Sequence, residues 1–254
     1  MTCVIAVVSQ KGGVGKSTTA QMIGDTETSS GRSVLFIDLD AQCNLTYSLT
    51  GTGSSDAGSY ELIHGTPASK LIMQTYGHGD LIPSSQKLSG LDLELSSTRG
   101  RQSLLRNALS SIRNDYDYII LDTPPAVGNV LVNALTAADF AIIPAQADIF
   151  SLQGLGQLSS TVEAVKSRAN PGLQVAGIVL QRFNRRTVLS KDLEQMLENT
   201  AAKLNTQVIG TIRDAVAVRE AQATQSNIYD YTKRKRVHDD IKQLIQNLEE
   251  QING

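Results

Sequence analysis

Tryptophan is absent from the chain, and cysteine and histidine number only two and three among 254 residues. Each shortage removes a kind of chemistry. Cys3 and Cys43 stand far apart, outside any C-x-x-C spacing, which excludes a disulfide framework and fits reduced thiols in a cytosolic protein. The histidines are scattered without metal-ligand spacing, which argues against a zinc centre or a histidine-based triad. Long apolar runs are also missing. The first one, Val4 to Val8, is strand-sized, far short of the ~20 residues of a membrane span, and no basic stretch precedes it as a secretion signal would require. Charge of one sign is lacking too. The formal net charge is −2, so any nucleic-acid contact has to come from a local patch.

What is present is enough for a core: 41% of the residues are apolar and 19% are charged. The length suits one large α/β domain, and no linker, repeat or low-complexity tract divides it, so a single domain over 1–254 is expected. Nearly continuous apolar runs recur at 3–9, 33–40, 117–123, 140–146 and 173–181, with a short one at 206–210. Runs of this kind read as strands buried on both faces. Helical stripes separate them: Leu104, Leu105, Ala108, Leu109 and Ile112; Leu155, Leu158, Val162 and Val165; Leu189, Leu193, Met196 and Leu197. The alternation predicts an α/β fold, a mostly parallel central sheet covered by helices on both faces.

Residues 51–100 are less regular. "TPASKLIMQ" predicts a helix start, with Thr66 as cap and Pro67 in the first turn. At the C-terminus, Val237, Ile241, Leu244, Ile245, Leu248 and Ile252 form one stripe, which predicts a packed helix over about 236–252. Its other face carries Asp239, Asp240, Glu249 and Glu250 against Lys242. A helix lying on a membrane surface would carry lysine and arginine there instead.

The chemistry concentrates in "SQKGGVGKST", Ser9 to Thr18. Gly15, Lys16 and Ser17 complete the second half of the phosphate-loop pattern G-x-x-x-x-G-K-[ST], but Gln10 stands where its first glycine belongs. An extra cation, Lys11, follows, and then Gly12, Gly13 and Val14. The loop leaves a predicted strand and enters a predicted helix, so its glycines and N–H groups can face an anion. Lys16 would neutralise phosphate charge, and the hydroxyl of Ser17 would hold Mg2+. Asp122 ends one apolar run and Asp38 and Asp40 end another. Carboxylates at the carboxyl ends of parallel strands lie beside the nucleotide crevice. Side chains alternate along a strand, so 38 and 40 share a face if the strand runs that far, and one or both could reach the metal or the attacking water.

"KGGVGKST", "VLFIDLDAQCN" and "DYIILDTPP", in this order and spacing, resemble the ParA/Soj family of deviant Walker-type P-loop NTPases, relatives of MinD. The likeness extends to "FAIIPAQADIFSLQGLGQL" and "IRDAVAVREAQATQSNIYDY". The resemblance implies that Lys11 reaches across a nucleotide-sandwich homodimer to the partner's ATP. It implies that Lys16, Ser17 and Thr18 contact phosphate and Mg2+, that Asp40 positions the hydrolytic water, that Asp38 supports the metal, and that Asp122 is the Walker B aspartate. Adenine would lie near Gln181, Arg182, Arg213 and Asp214. The sequence departs from the family at Ala41, where proline is usual, and at Gln181, where asparagine is common. In the first helix, "GDTETSSGRS" breaks the apolar stripe after Ile23, so a short or frayed helix is expected.

The same resemblance implies a slow, partner-stimulated, Mg2+-dependent ATP hydrolase of the cytoplasm. It would be nucleoid-associated when ATP-bound and would segregate plasmid, mobile-element or chromosomal DNA with a ParB-like activator. Its cations for non-specific DNA would be Arg185, Arg186, Arg219, Lys233, Arg234, Lys235 and Arg236. The alternative is a MinD-like membrane-positioning ATPase, which the acidic tail opposes. A cluster-carrying relative would need paired cysteines in the second half, and none follows Cys43.

Overall fold

The computed structural model describes residues 2–183, 188–203 and 205–254. Seven strands form one parallel sheet: β1 (Cys3–Val7), β2 (Val34–Asp38), β3 (Asp80–Ile82), β4 (Tyr118–Asp122), β5 (Phe140–Ala145), β6 (Gln174–Phe183) and β7 (Val208–Arg213). Their spatial order is β3-β2-β4-β1-β5-β6-β7. The helices of the first half are α1 (Lys16–Ser29), α2 (Asn44–Thr50), α3 (Ser59–Ile63), α4 (Leu91–Glu94), α5 (Leu104–Leu109) and α6 (Asn129–Ala137). Those of the second half are α7 (Ile149–Arg168), α8 (Val188–Lys203), α9 (Val216–Ala223), α10 (Ile228–Thr232) and α11 (Val237–Asn253).

The continuous apolar runs are explained by two cores, one on each face of the sheet. Along β1 and just beyond it, Val4, Ala6 and Val8 enter one core with residues of α3, α5, α6, α7 and α8. Cys3, Ile5 and Val7 enter the other with residues of α1, α2, α9, α10 and α11. The strand's period of two divides the same segment between both faces. Helix α11 lays Val237, Ile241, Leu244, Ile245 and Leu248 into the second core, as its stripe predicts.

Two expectations change, and one strand was not foreseen. Helix α1 does not break after Ile23 but runs to Ser29. Gly24 lets it approach β2 closely, since a Cβ there would lie 2.1 Å from the ring of Phe36. Its polar residues find partners or shelter: the carboxylate of Asp25 meets His78 Nδ1 at 2.5 Å and accepts the Ile228 N–H at 2.7 Å. The helix expected after Thr66 is a single 3-10 turn at Ala68–Lys70, because the following Met73 bridges to Leu81 instead. Strand β3, too short to stand out in the sequence, is held by pairing of Leu35, Phe36 and Ile37 with Asp80, Leu81 and Ile82.

Candidate active site

The strand order brings the loops after β1, β2 and β4 to one edge. Register pairs Val7 with Asp122, and Asp38 with Asp122, across three adjacent strands. A parallel sheet places its ligands at such a carboxyl edge. The loop from Ser9 turns through Gly13 and Gly15, whose φ values of 72° and 94° lie in the left-handed region. Side chains other than glycine rarely adopt it. Helix α1 then starts at Lys16, with N-terminal N–H groups available for an anion. A cavity of about 390 Å³ opens over this loop, lined by Gly12, Gly13, Gly15, Lys16, Ser17, Thr18 and Asp40. Gln42, Asn44, Tyr47, Pro125, Arg182 and Gln222 also line it.

The two lysines of the loop are held differently. Lys16 is buried. Burial pulls its pKa below the ordinary value, while Asp122 and then Asp40 pull the other way. Lys11 lies at the rim, where its Nζ donates to Asp148 Oδ2 at 2.5 Å and to Gln146 Oε1 at 3.4 Å. Asp148 is also the N-cap of α7, accepting from Ser151 N at 2.9 Å. Burial works to raise its pKa, but the Lys11 ammonium and the Ser151 N–H outweigh it and hold the carboxyl below its usual range. Gln146 donates back to the Gly13 carbonyl at 3.4 Å, so the start of α7 clasps the loop.

The three aspartates separate by their partners. Asp38 accepts from Asp40 N at 3.1 Å, Thr46 N at 2.9 Å and Thr46 Oγ1 at 2.7 Å. Burial nevertheless pushes its pKa up to about 6. Both of its oxygens thus hold the turn into α2. Strand β2 ends at Asp38, so Asp40 sits on the turn beyond it and accepts from Gln42 N at 3.0 Å. Asp122 is wholly buried, and neither carboxylate oxygen has a hydrogen-bond partner. Burial, with Asp38 beside it, drives its pKa well up, against the pull of Ser17 and Lys16. An orphaned buried carboxylate next to the hydroxyl of Ser17 fits a divalent cation. Among the described residues there is no cluster of three His, Cys, Asp or Glu that could hold a metal alone. A cation here would have to take its remaining ligands from phosphate and water, as Mg2+ does with nucleotides.

A second, smaller cavity adjoins the first, sharing Gly15, Thr18, Arg182 and Gln222, and Gln181, Arg213 and Asp214 also line it. Gln181 donates to Thr19 Oγ1 at 2.8 Å. Arg182 sits at a bulge of β6 with φ of 54°. The guanidinium of Arg213 is turned to α11, donating through Nε and Nη2 to Asp240 at 2.6 Å each. Of the expected DNA cations, Arg219 pairs with Asp214 at 2.5 Å and Lys233 with Asp230 at 2.7 Å. Arg234, Lys235 and Arg236 are exposed, while Arg185 and Arg186 lie outside the described residues. The sequence reading missed Asp148, Gln146 and Tyr47. Asp148 carried one usable signal, an aspartate three residues ahead of Ser151 at a helix start.

The family model described as "AAA domain" matches residues 2–175. The chromosome partitioning protein ParA of Caulobacter vibrioides is 38% identical over 229 residues, covering 88% of this chain and 83% of that protein. The chain belongs to the ParA/Soj family. The sporulation initiation inhibitor protein Soj of Bacillus subtilis is 35% identical over 238 residues, covering 92% of each. Among solved structures, cobyrinic acid a,c-diamide synthase from Mycobacterium smegmatis, with ADP and magnesium bound, superposes with a TM-score of 0.78 at 32% identity. That match covers 93% of this chain and 98% of the other. The chain therefore shares its sequence with ParA and Soj proteins and its fold with a solved protein that holds ADP and magnesium.

Proposed function

We propose that the chain is a Mg2+-dependent ATPase that closes as an ATP-sandwich homodimer and binds DNA without sequence preference in that state. With a ParB-like partner it partitions plasmid, mobile-element or chromosomal DNA, working in the cytoplasm on the nucleoid. Family membership supports the partition role. The observation that carries the dimer is the contrast between the two lysines, one buried inside its own site and one held at the rim by a single exchangeable carboxylate.

In this reading, the loop N–H groups and Lys16 bind the ATP phosphates and offset the charge that develops during transfer. Ser17 and Asp122 hold Mg2+, which supplies further neutralisation of phosphate charge when bound. Asp40, on the turn facing the loop, holds and orients the attacking water. Lys11 leaves Asp148 and offers its cation to the partner's nucleotide, in the manner of an arginine finger. Among the described residues no histidine or glutamate lines the cavity as a strong base, so turnover alone is slow and a partner sets its pace. The exposed side of α11 bears Asp239 and Glu250, which opposes the anionic lipid that a membrane-positioning relative would need. No helix among the described residues is long and apolar enough to cross a membrane.

Lys11→Ala tests the reading. It is expected to keep ATP binding as a monomer, to lose ATP-dependent dimers in light scattering, and to lose about 10³-fold or more in hydrolysis, as removal of an arginine finger does. A Lys11→Ala protein that dimerises with ATP like the wild type would refute it.

A further inference from the structure

Several exposed cations elsewhere are tied to carboxylates, Lys87 to Glu61, Arg113 to Asp139, Arg213 to Asp240, Arg219 to Asp214 and Lys233 to Asp230, whereas Arg234, Lys235 and Arg236 form no ion pair among the described residues. A second group of unpaired cations gathers in one groove. An open groove of about 550 Å³ lies between the loop at 97–102, α6 and the second half of α7. Arg99, Arg101 and Arg168 line it, and no carboxylate does. Thr161, Asn129 and Gln102 add neutral polar groups. Just beyond its lip, the exposed Arg106 donates to the carbonyl of Ala169, which lines the groove, at 3.0 Å. None of these four arginines forms an ion pair among the described residues. In a chain of net charge −2, three arginines on one groove without a counter-charge repel one another unless an anion enters between them.

The chemistry of the lining selects the anion. Guanidinium forks match phosphate oxygens in bidentate pairs. The groove is open and lacks the aromatic anchors that mark the centre of a protein interface. Its two helices pack into the core on the α6/α7 face of the sheet, whereas α10 and α11, which flank the C-terminal basic segment, pack into the other. We propose that this groove is a second contact surface for the phosphate backbone of nucleic acid, on the sheet face opposite the C-terminal cations. The inference rests on the reading above that the chain binds DNA. It adds that DNA contacts both faces, so that one dimer can hold two segments of duplex.

The test is anisotropy of a labelled random-sequence duplex with the full chain, ATP and Mg2+, over a salt series. Arg99→Ala/Arg168→Ala should weaken binding at every sequence and lower the slope of log affinity against log salt by about 2, near one for each phosphate no longer neutralised. Melting temperature and ATP affinity, read on the same samples, should hold. Arg99→Gln/Arg168→Gln, which keeps bulk and amide donors, should show the same drop in slope, and Arg99→Lys/Arg168→Lys should regain it. A double variant with wild-type affinity and slope overturns the groove alone, whereas a wild-type chain that binds no duplex overturns the DNA reading with it. Polyglutamate serves as the competing probe. If the wild type binds it, and the double variant loses it while keeping duplex affinity, an acidic polypeptide is the partner and the proposal fails.

Discussion

Asp25 and Asp122 are both completely buried, yet they do opposite work. Asp25, midway along α1, has a full set of partners: His78, and the N–H of Ile228 at the start of α10. Its neighbour Asn227 donates to the main chain of α1 at the Asp25 carbonyl and to that of Gly77. These bonds staple three segments that are distant in sequence. Asp122, at the end of β4, has no hydrogen-bond partner for either oxygen. A buried charge is tolerated only with compensation. Where the chain supplies the compensation, the group is architecture. Where the chain withholds it, the group is left open to a ligand, the divalent cation proposed above.

The largest effect that would test this contrast is on the staple. His78→Ala leaves the carboxylate of Asp25 buried with half its partners. Breaking a buried pair from one side costs about 3–5 kcal/mol. Burial alone would lower the His78 pKa, but Asp25 outweighs it and holds the ring above its usual value, while burial also raises that of Asp25, so the pair holds its proton in the fold. The variant should melt far earlier in thermal denaturation, while the protein that remains folded keeps its ATP affinity. If ATP affinity falls in step with stability, the staple is part of the site and the contrast collapses.

Asp122→Asn is the converse. Loss of the orphaned charge should leave the melting temperature without nucleotide unchanged or raised, because burial already disfavours the ionised form. Mg2+-dependent hydrolysis should fall by about 10²-fold or more, the usual size for loss of one preorganised electrostatic group. A variant that melts earlier without nucleotide yet hydrolyses normally would reverse the two assignments.

The same contrast explains what was legible in the sequence. The phosphate loop and the strand-end aspartates were readable because each is local: a glycine pattern, or a carboxylate closing an apolar run. The sheet was readable from continuous apolar runs. What was not readable is long-range pairing. Polar residues in α1 looked like a break because the partner of Asp25 lies 53 positions away, in the least regular part of the chain. Lys11 stands out in the sequence as an extra cation, but the carboxylate that holds it lies 137 positions away. Strand β3 has three residues, and its existence rests on its neighbour's register rather than on its own composition.

The smallest expected effect concerns Glu27, the second carboxylate of α1, which falls between the two cases. It is buried, and burial, with Glu249 and Asp117 adding to it against Arg32, lifts its pKa from 4.5 to about 7. Between those values the folded chain holds a proton that the unfolded chain has lost. By linkage, stability from this group is full below pH 4.5 and declines as pH rises towards 7. Glu27→Gln removes the titration. The melting temperature of the variant relative to the wild type should therefore climb across that window and level off above it. Melts at several pH values from 4.5 to 8 read this directly, with about 8 as an endpoint beyond the shifted value. Parallel curves for the two proteins would mean that Glu27 ionises normally in the fold, and that α1 shelters its second carboxylate as completely as its first.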